Sequence, residues 1–312
     1  MKRFVICLAA IGLIFSFNAC KKDGVYNPSK KVSKIYTEVY LYDSVYNVIG
    51  SVPMLSQNFT WDKNILKEVD SYREGEQRDK EIFVYDGKRL VRIDHVDPDY
   101  ISDIEEQTIF SYEGSKLHKA TFLDDGDIEE EVEYIYEKNK ISEMIYTIYN
   151  NSGLSSLNIL EPLKQVLDPN MVEVLSCDKE MLACLEAKNG LTHKAGVRTM
   201  KIELEWERDN ISQVKLIQDS YTQIVSFTYD NKKNPFYSRP MEDIETMGDP
   251  EYGLLSFFCN KNNIVQMEST SSGHTYTIPI EYEYDGSYPI KQTITPPHAD
   301  PDDIVVKYIE YR

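Results

Sequence analysis

The chain has 312 residues, with 52 Asp plus Glu against 34 Lys plus Arg and a formal net charge of −18. A protein this acidic repels phosphate backbones, which excludes nucleic acid as a partner. Its 23 Tyr and 11 Phe can build a large core, while 14 Gly leave few loops for close backbone approach.

Reading from the start, Lys2 and Arg3 form a short basic segment, residues 4–17 are apolar or small, and Asn18-Ala19-Cys20 precedes a polar chain beginning at Lys21. The apolar run falls short of the roughly 20 residues a spanning helix requires, and its order is that of a secretory signal. A Cys directly after a small residue resembles the bacterial lipobox, with Phe17 and Asn18 in place of the usual Leu and small residue. The expectation is therefore a signal peptide over 1–19, acylation of Cys20, a lipidated tether over 20–33 and an outer-membrane lipoprotein on the periplasmic or cell-surface side. Removing 1–19 takes away two cations and no acid, leaving a charge of −20. Such a chain is repelled by an anionic membrane surface, so the acyl chains are expected to hold it there. Cys177, Cys184 and Cys259, an odd number in an oxidising compartment, read as small buried apolar residues rather than a disulfide framework.

From residue 34 onward a repeat emerges. Trp61-Asp62, Tyr85-Asp86, Tyr112-Glu113, Tyr136-Glu137 and Trp206-Glu207 are each followed, five residues after the aromatic, by Leu66, Leu90, Leu117, Ile141 or Ile211. Tyr229-Asp230 and Tyr284-Asp285 open two more units, and Cys259-Asn260 a degenerate one. The intervening residues are polar and turn-prone, so the unit is a β-hairpin. The strands entering the turns alternate: Val132, Tyr134 and Tyr136 share one face, Glu131 and Glu133 the other. Successive hairpins predict an antiparallel meander of about sixteen strands, mostly β, curled into a barrel or a strongly curved sheet with its aromatic face inward. Strands of about five to seven residues, where roughly 9–11 are needed to cross a bilayer, argue against a membrane barrel. Between Tyr136 and Trp206 the period is interrupted. Asn170 as a cap, the apolar spacing from Met171 to Leu185 and Asn189-Gly190 as a stop predict a helix over 170–189, within an insertion at about 155–190 that lies against the aromatic face. The domain then spans 34–312.

The Tyr-Asp turns, the Asn234-Pro235-Phe236 segment, Asn262-Asn263-Ile264 and Tyr282-Glu283-Tyr284-Asp285 together resemble the tyrosine-aspartate-repeat lipoproteins of Bacteroidota, a family of unknown function with a porin-like fold. The resemblance implies an envelope address and a β architecture, and it brings no catalytic residues. In that bacterial group Asp43-Ser44-Val45 resembles an acceptor for O-glycosylation at Ser44.

No catalytic or cofactor motif is present. The five histidines stand apart, without a metal-ligand spacing or a nucleophile elbow, so no cofactor or metal is expected. Acidic runs such as Asp124-Asp125-Gly126-Asp127 and Glu129-Glu130-Glu131 read as solvated turns and strand entries. The repeat aromatics are expected to pack in the core. Tyr100, Tyr237, Tyr252 and Tyr288, near Pro, Gly or Asp clusters, are the candidates for a ligand-binding rim where loops meet the ends of the helix. The favoured function is a non-catalytic, lipid-anchored binding or interaction module for a glycan or an envelope partner protein. The alternative is a glycan hydrolase with a carboxylate pair hidden among solvated acids.

Overall fold

The computed structural model describes residues 28–42, 48–73, 75–97, 106–149, 197–218, 221–237, 260–271, 273–296 and 304–312. These form sixteen strands: β1 (Val32–Tyr42), β2 (Val48–Asp62), β3 (Ile65–Arg73), β4 (Glu76–Asp86), β5 (Arg89–Val96), β6 (Glu106–Glu113), β7 (Lys116–Asp124), β8 (Asp127–Glu137), β9 (Lys140–Tyr149), β10 (Val197–Glu207), β11 (Asn210–Gln218), β12 (Tyr221–Tyr229), β13 (Ile264–Ser271), β14 (His274–Asp285), β15 (Tyr288–Ile294) and β16 (Val305–Tyr311). Each pairs antiparallel with its chain neighbours, and β16 pairs with β1, so the meander closes into a barrel. A closed barrel replaces the looser expectation of a curved sheet: closure satisfies every strand edge. No helix occurs among the described residues. The helix expected over 170–189 falls outside them, as do Cys20, Ser44, the three remaining cysteines, Tyr100 and Tyr252.

The hairpin reading accounts for the local geometry. Asp86 pairs with Arg89 and Glu113 with Lys116, leaving two-residue loops that begin with Gly87 and Gly114 at φ 62°. Positive φ at the first loop residue matches the right-handed twist of the flanking strands. A bulge accompanies each turn, with register shifts at Thr60/Trp61, Val84/Tyr85, Ser111/Tyr112, Ile135/Tyr136 and Glu205/Trp206. The extra residue increases local twist and lays the aromatic across the barrel end.

The strands are longer than the sequence suggested, from 7 residues in β15 to 15 in β2. The lengths came out short because inward positions such as Gln57, Ser71 and Glu81 are polar and break the apolar alternation. Length therefore does not argue against a membrane barrel, but the faces do. A single buried cluster takes side chains from every strand, among them Ile35, Phe59, Val69, Phe83, Ile93, Phe110, Ala120, Val132, Met144, Ile202, Val214, Val225, Met267, Ile280, Ile294 and Ile309, each at most 8% exposed. Residues that share one face of every strand of a closed barrel and are all buried lie on its inside. The opposite face carries cross-strand ion pairs at mid-strand: Lys119 with Glu131 (3.2 Å) and Glu133 (3.4 Å), Lys201 with Glu143 (2.7 Å), and Lys215 with Glu203 (3.2 Å). A membrane barrel presents an apolar band about 25 Å tall to lipid, and a Lys at its midplane costs about 2–4 kcal/mol. This wall carries charge where such a band would be apolar.

Candidate functional site

Because the strands alternate in direction, every Tyr-Asp turn falls at one end of the barrel, which also receives the start of β1 and the end of β16. The turns 73–76 and 124–127 lie at the other end, where the connections 96–106 and 149–197 also attach. At the first end several of the signature aromatics clasp one hairpin to the next. Tyr112 donates its hydroxyl to the carbonyl of Leu90 (2.7 Å), Trp206 its indole N–H to Ile141 (2.6 Å), Tyr229 its hydroxyl to Ile211, Tyr311 to Pro289 (2.6 Å) and Trp61 its indole N–H to Val32 (2.8 Å). In the first four cases the acceptor stands five residues after the aromatic of the preceding unit. The spacing that revealed the repeat is thus the spacing of an inter-hairpin hydrogen bond.

Cations cover most of these rings. Arg89 lies 4.7 Å from the centre of Tyr112, Lys116 4.8 Å from Tyr136 and Lys140 5.1 Å from Trp206, each cation standing four residues after the previous aromatic. Lys67 covers Tyr85, Lys31 and Arg312 cover Trp61, and Lys30 covers Tyr311. These pairs also bridge turns, because Arg89 donates to the Gly114 carbonyl and Lys116 to that of Lys138. Burial pushes the Tyr112 hydroxyl up to about 12, against the opposing pull of Arg89, so the phenol stays a donor throughout the physiological range. In sequence these cations are polar turn residues; the Lys or Arg standing four residues after Tyr85, Tyr112, Tyr136 and Tyr229 is the signal that could have found them.

The long connection after β12 is fixed to the same rim. Asp230 accepts hydrogen bonds from the backbone N–H groups of Lys232 and Asn263 and from the side chains of Asn263 and Tyr284. Asn234 donates to the Asn260 carbonyl, and Asn260 accepts the Ile211 N–H. These bonds set Phe236 into the barrel end, 3% exposed, against Ile35, Tyr282 and Ile309.

Over the rim as a whole (residues 28–32, 61–67, 85–90, 112–117, 136–141, 206–211, 229–237, 260–264, 284–289 and 311–312) there are 14 Lys and Arg against 8 Asp and Glu, a net +6 in a chain of −18. The opposite end is acidic, with Asp124, Asp125 and Asp127 in a single turn. The barrel is therefore electrically polar along its axis.

Of the residues expected at a ligand rim, Tyr237 is here and exposed at 37%. Tyr288 is not a loop residue: it opens β15, is 8% exposed and meets Tyr311 edge-on at 5.8 Å, because Gly286-Ser287 make a two-residue turn that pulls it into the wall. The expected meeting of rim loops with the ends of the insertion is also corrected. The connection carrying Tyr237 leaves from the aromatic rim, whereas 149–197 attaches at the opposite end.

The inside holds a second constellation. Glu81, His95, Thr108 and Glu130 are all at most 9% exposed, on the inner face of β4, β5, β6 and β8, and Glu81 is paired in register with His95. Glu130 is thus an inward residue rather than a solvated strand entry. Asp79, two residues from Glu81, has its carboxyl pushed up to about 7, chiefly by burial; His95 pulls it down, and Glu81 and Glu106 add to the rise. Buried oxygens of Gln57, Ser71 and Asp79, neighbours across β2, β3 and β4, have no hydrogen-bond partner among the described residues. Among the described residues no group of three His, Cys, Asp or Glu is arranged to hold a metal ion.

No known protein family matches the chain, and no curated protein matches it. Among solved structures it is similar to a porin-like protein from Bacteroides vulgatus ATCC 8482, at 10% identity and a TM-score of 0.29, over 91% of this chain and 99% of that one.

Proposed function

We propose that the protein is a non-catalytic, lipid-anchored module of the outer membrane that binds a glycan or an envelope partner protein from the water phase. The observation that carries this reading is the assignment of the two faces. A wall of ion pairs outside and a closed, packed inside suit neither burial in lipid nor conduction through a lumen. The lipobox-like Cys20 supplies the attachment that such a wall lacks. A hydrolase would find its acid pair in Asp79 and Glu81, but Glu81 is 4% exposed and faces the packed inside, where a glycosidic bond has no access.

The test is made in cells fed a radioactive fatty acid. The wild-type protein is expected to carry label and to need detergent for extraction. Cys20→Ala should lose the label and come away in a high-salt wash without detergent. Label on the mutant would remove the anchor. A mutant that is unlabelled yet still demands detergent would mean that the wall itself lies in lipid.

A further inference from the structure

We propose that the aromatic rim is a docking surface for an anionic phospholipid bilayer, so that the barrel stands end-on upon the membrane that holds its anchor. The orientation rests on the reading that the chain is anchored at Cys20; the binding itself does not. Three observations converge. The first is the polarity of charge along the axis, which turns a chain repelled as a whole into one attracted by a single end. The second is the start of β1 at Val32, on this rim, so that the tether from Cys20 and its Lys21 and Lys22 reach the barrel on the basic side. Juxtamembrane basic segments of this kind are drawn to anionic headgroups. The aromatic rings set among these cations are the residues favoured at headgroup depth.

The third observation is backbone strain at the turn tips. Gly87, Gly114 and Gly286 take the left-handed position at the first loop residue in three turns, but Lys63 (φ 54°), Lys138 (φ 59°) and Arg208 (φ 55°) take it in three others. A side chain there is disfavoured, and Gly would fit without penalty. All three are exposed, at the outermost points of the rim. Long cations are kept at strained tips where they add nothing to the wall. An anionic surface lying across the rim uses all three together.

The mature chain from Lys21 onward, made without its acyl group, is incubated with vesicles of 70% phosphatidylcholine and 30% phosphatidylglycerol and with vesicles of phosphatidylcholine alone. It should sediment with the anionic vesicles at low ionic strength, release as salt rises and ignore the neutral ones. The triple variant Lys63→Gly, Lys138→Gly, Arg208→Gly relieves the strained turns, so it should melt no lower than wild type and yet bind roughly 100-fold more weakly, at about fivefold per cation. Binding equal to wild type in the triple variant, equal sedimentation with neutral vesicles, or no sedimentation at low salt would each overturn the docking surface. A fatty-acid label on Cys20 would stand in every one of those cases, so the anchor and the rim succeed or fail separately.

Discussion

Trp61→Ala should lower the stability of the barrel by about 3–5 kcal/mol, the range for truncating a large buried aromatic. Trp61 is 8% exposed and sits where the barrel closes. Its indole N–H is donated to Val32 on β1, its ring lies under Lys31 and Arg312, and Arg312 also donates to the Lys63 carbonyl. The substitution thus removes a ring, leaves a buried carbonyl short of a donor and frees two cations at once. Trp61→Phe keeps one aromatic ring but loses the hydrogen bond and the pyrrole half of the indole, so it should cost less, about 1–2 kcal/mol. Denaturant unfolding of the two variants checks this ordering. If Trp61→Ala unfolded at the wild-type midpoint, the clasp would contribute nothing to the fold.

The second large effect is a dependence on pH. In the folded chain the Asp79 carboxyl titrates at about 7, against 3.8 for the unperturbed group. Between these values the unfolded chain ionises Asp79 while the folded chain keeps it protonated, so folding takes up a proton. Stability from this group is fully present below the unfolded value and is lost as pH rises towards 7, by something on the order of 2–4 kcal/mol. Asp79→Asn keeps the shape and cannot ionise. It should be more stable than wild type at pH 8 and similar to it below the unperturbed value. The quantity to measure is the difference in unfolding free energy between mutant and wild type across that range, which removes the self-repulsion common to both chains. A difference that stays flat from pH 4 to pH 8 would show that Asp79 is ionised throughout.

The hairpins and their order were legible because the turn chemistry is local: Tyr85-Asp86-Gly87 announces a two-residue turn without reference to any other part of the chain. The inward acids were not. Glu81 and Lys80 are adjacent and equally polar, and the side of the wall each faces is decided by pairing partners that stand 14 or more residues away, His95 for the one and Val96 for the other. Glu130 was misread for the same reason, since Glu129 and Glu131 beside it are indistinguishable by composition. The cationic layer of the rim was visible as spacing but carried no meaning until the rings were seen to span from one hairpin to the next. Strand lengths failed wherever a bulge or a polar inward residue broke period two, as at Tyr36 and Gln57.

Closure has a kinetic consequence. Fifteen of the sixteen pairings join strands that follow one another along the chain, and most of these are hairpins that form quickly, the pairings across 149–197 and 229–264 being the exceptions. The sixteenth joins Ile35 to Ile309 and waits for the last strand. Until Val305–Tyr311 arrives, β1 and β15 both offer a bare edge to any other extended chain. The chain is therefore exposed to aggregation for as long as the final strand takes to find the first. Acidic side chains along the wall keep partly closed molecules apart during that interval. Shortening the chain by its last strand should make the yield of folded protein fall with concentration.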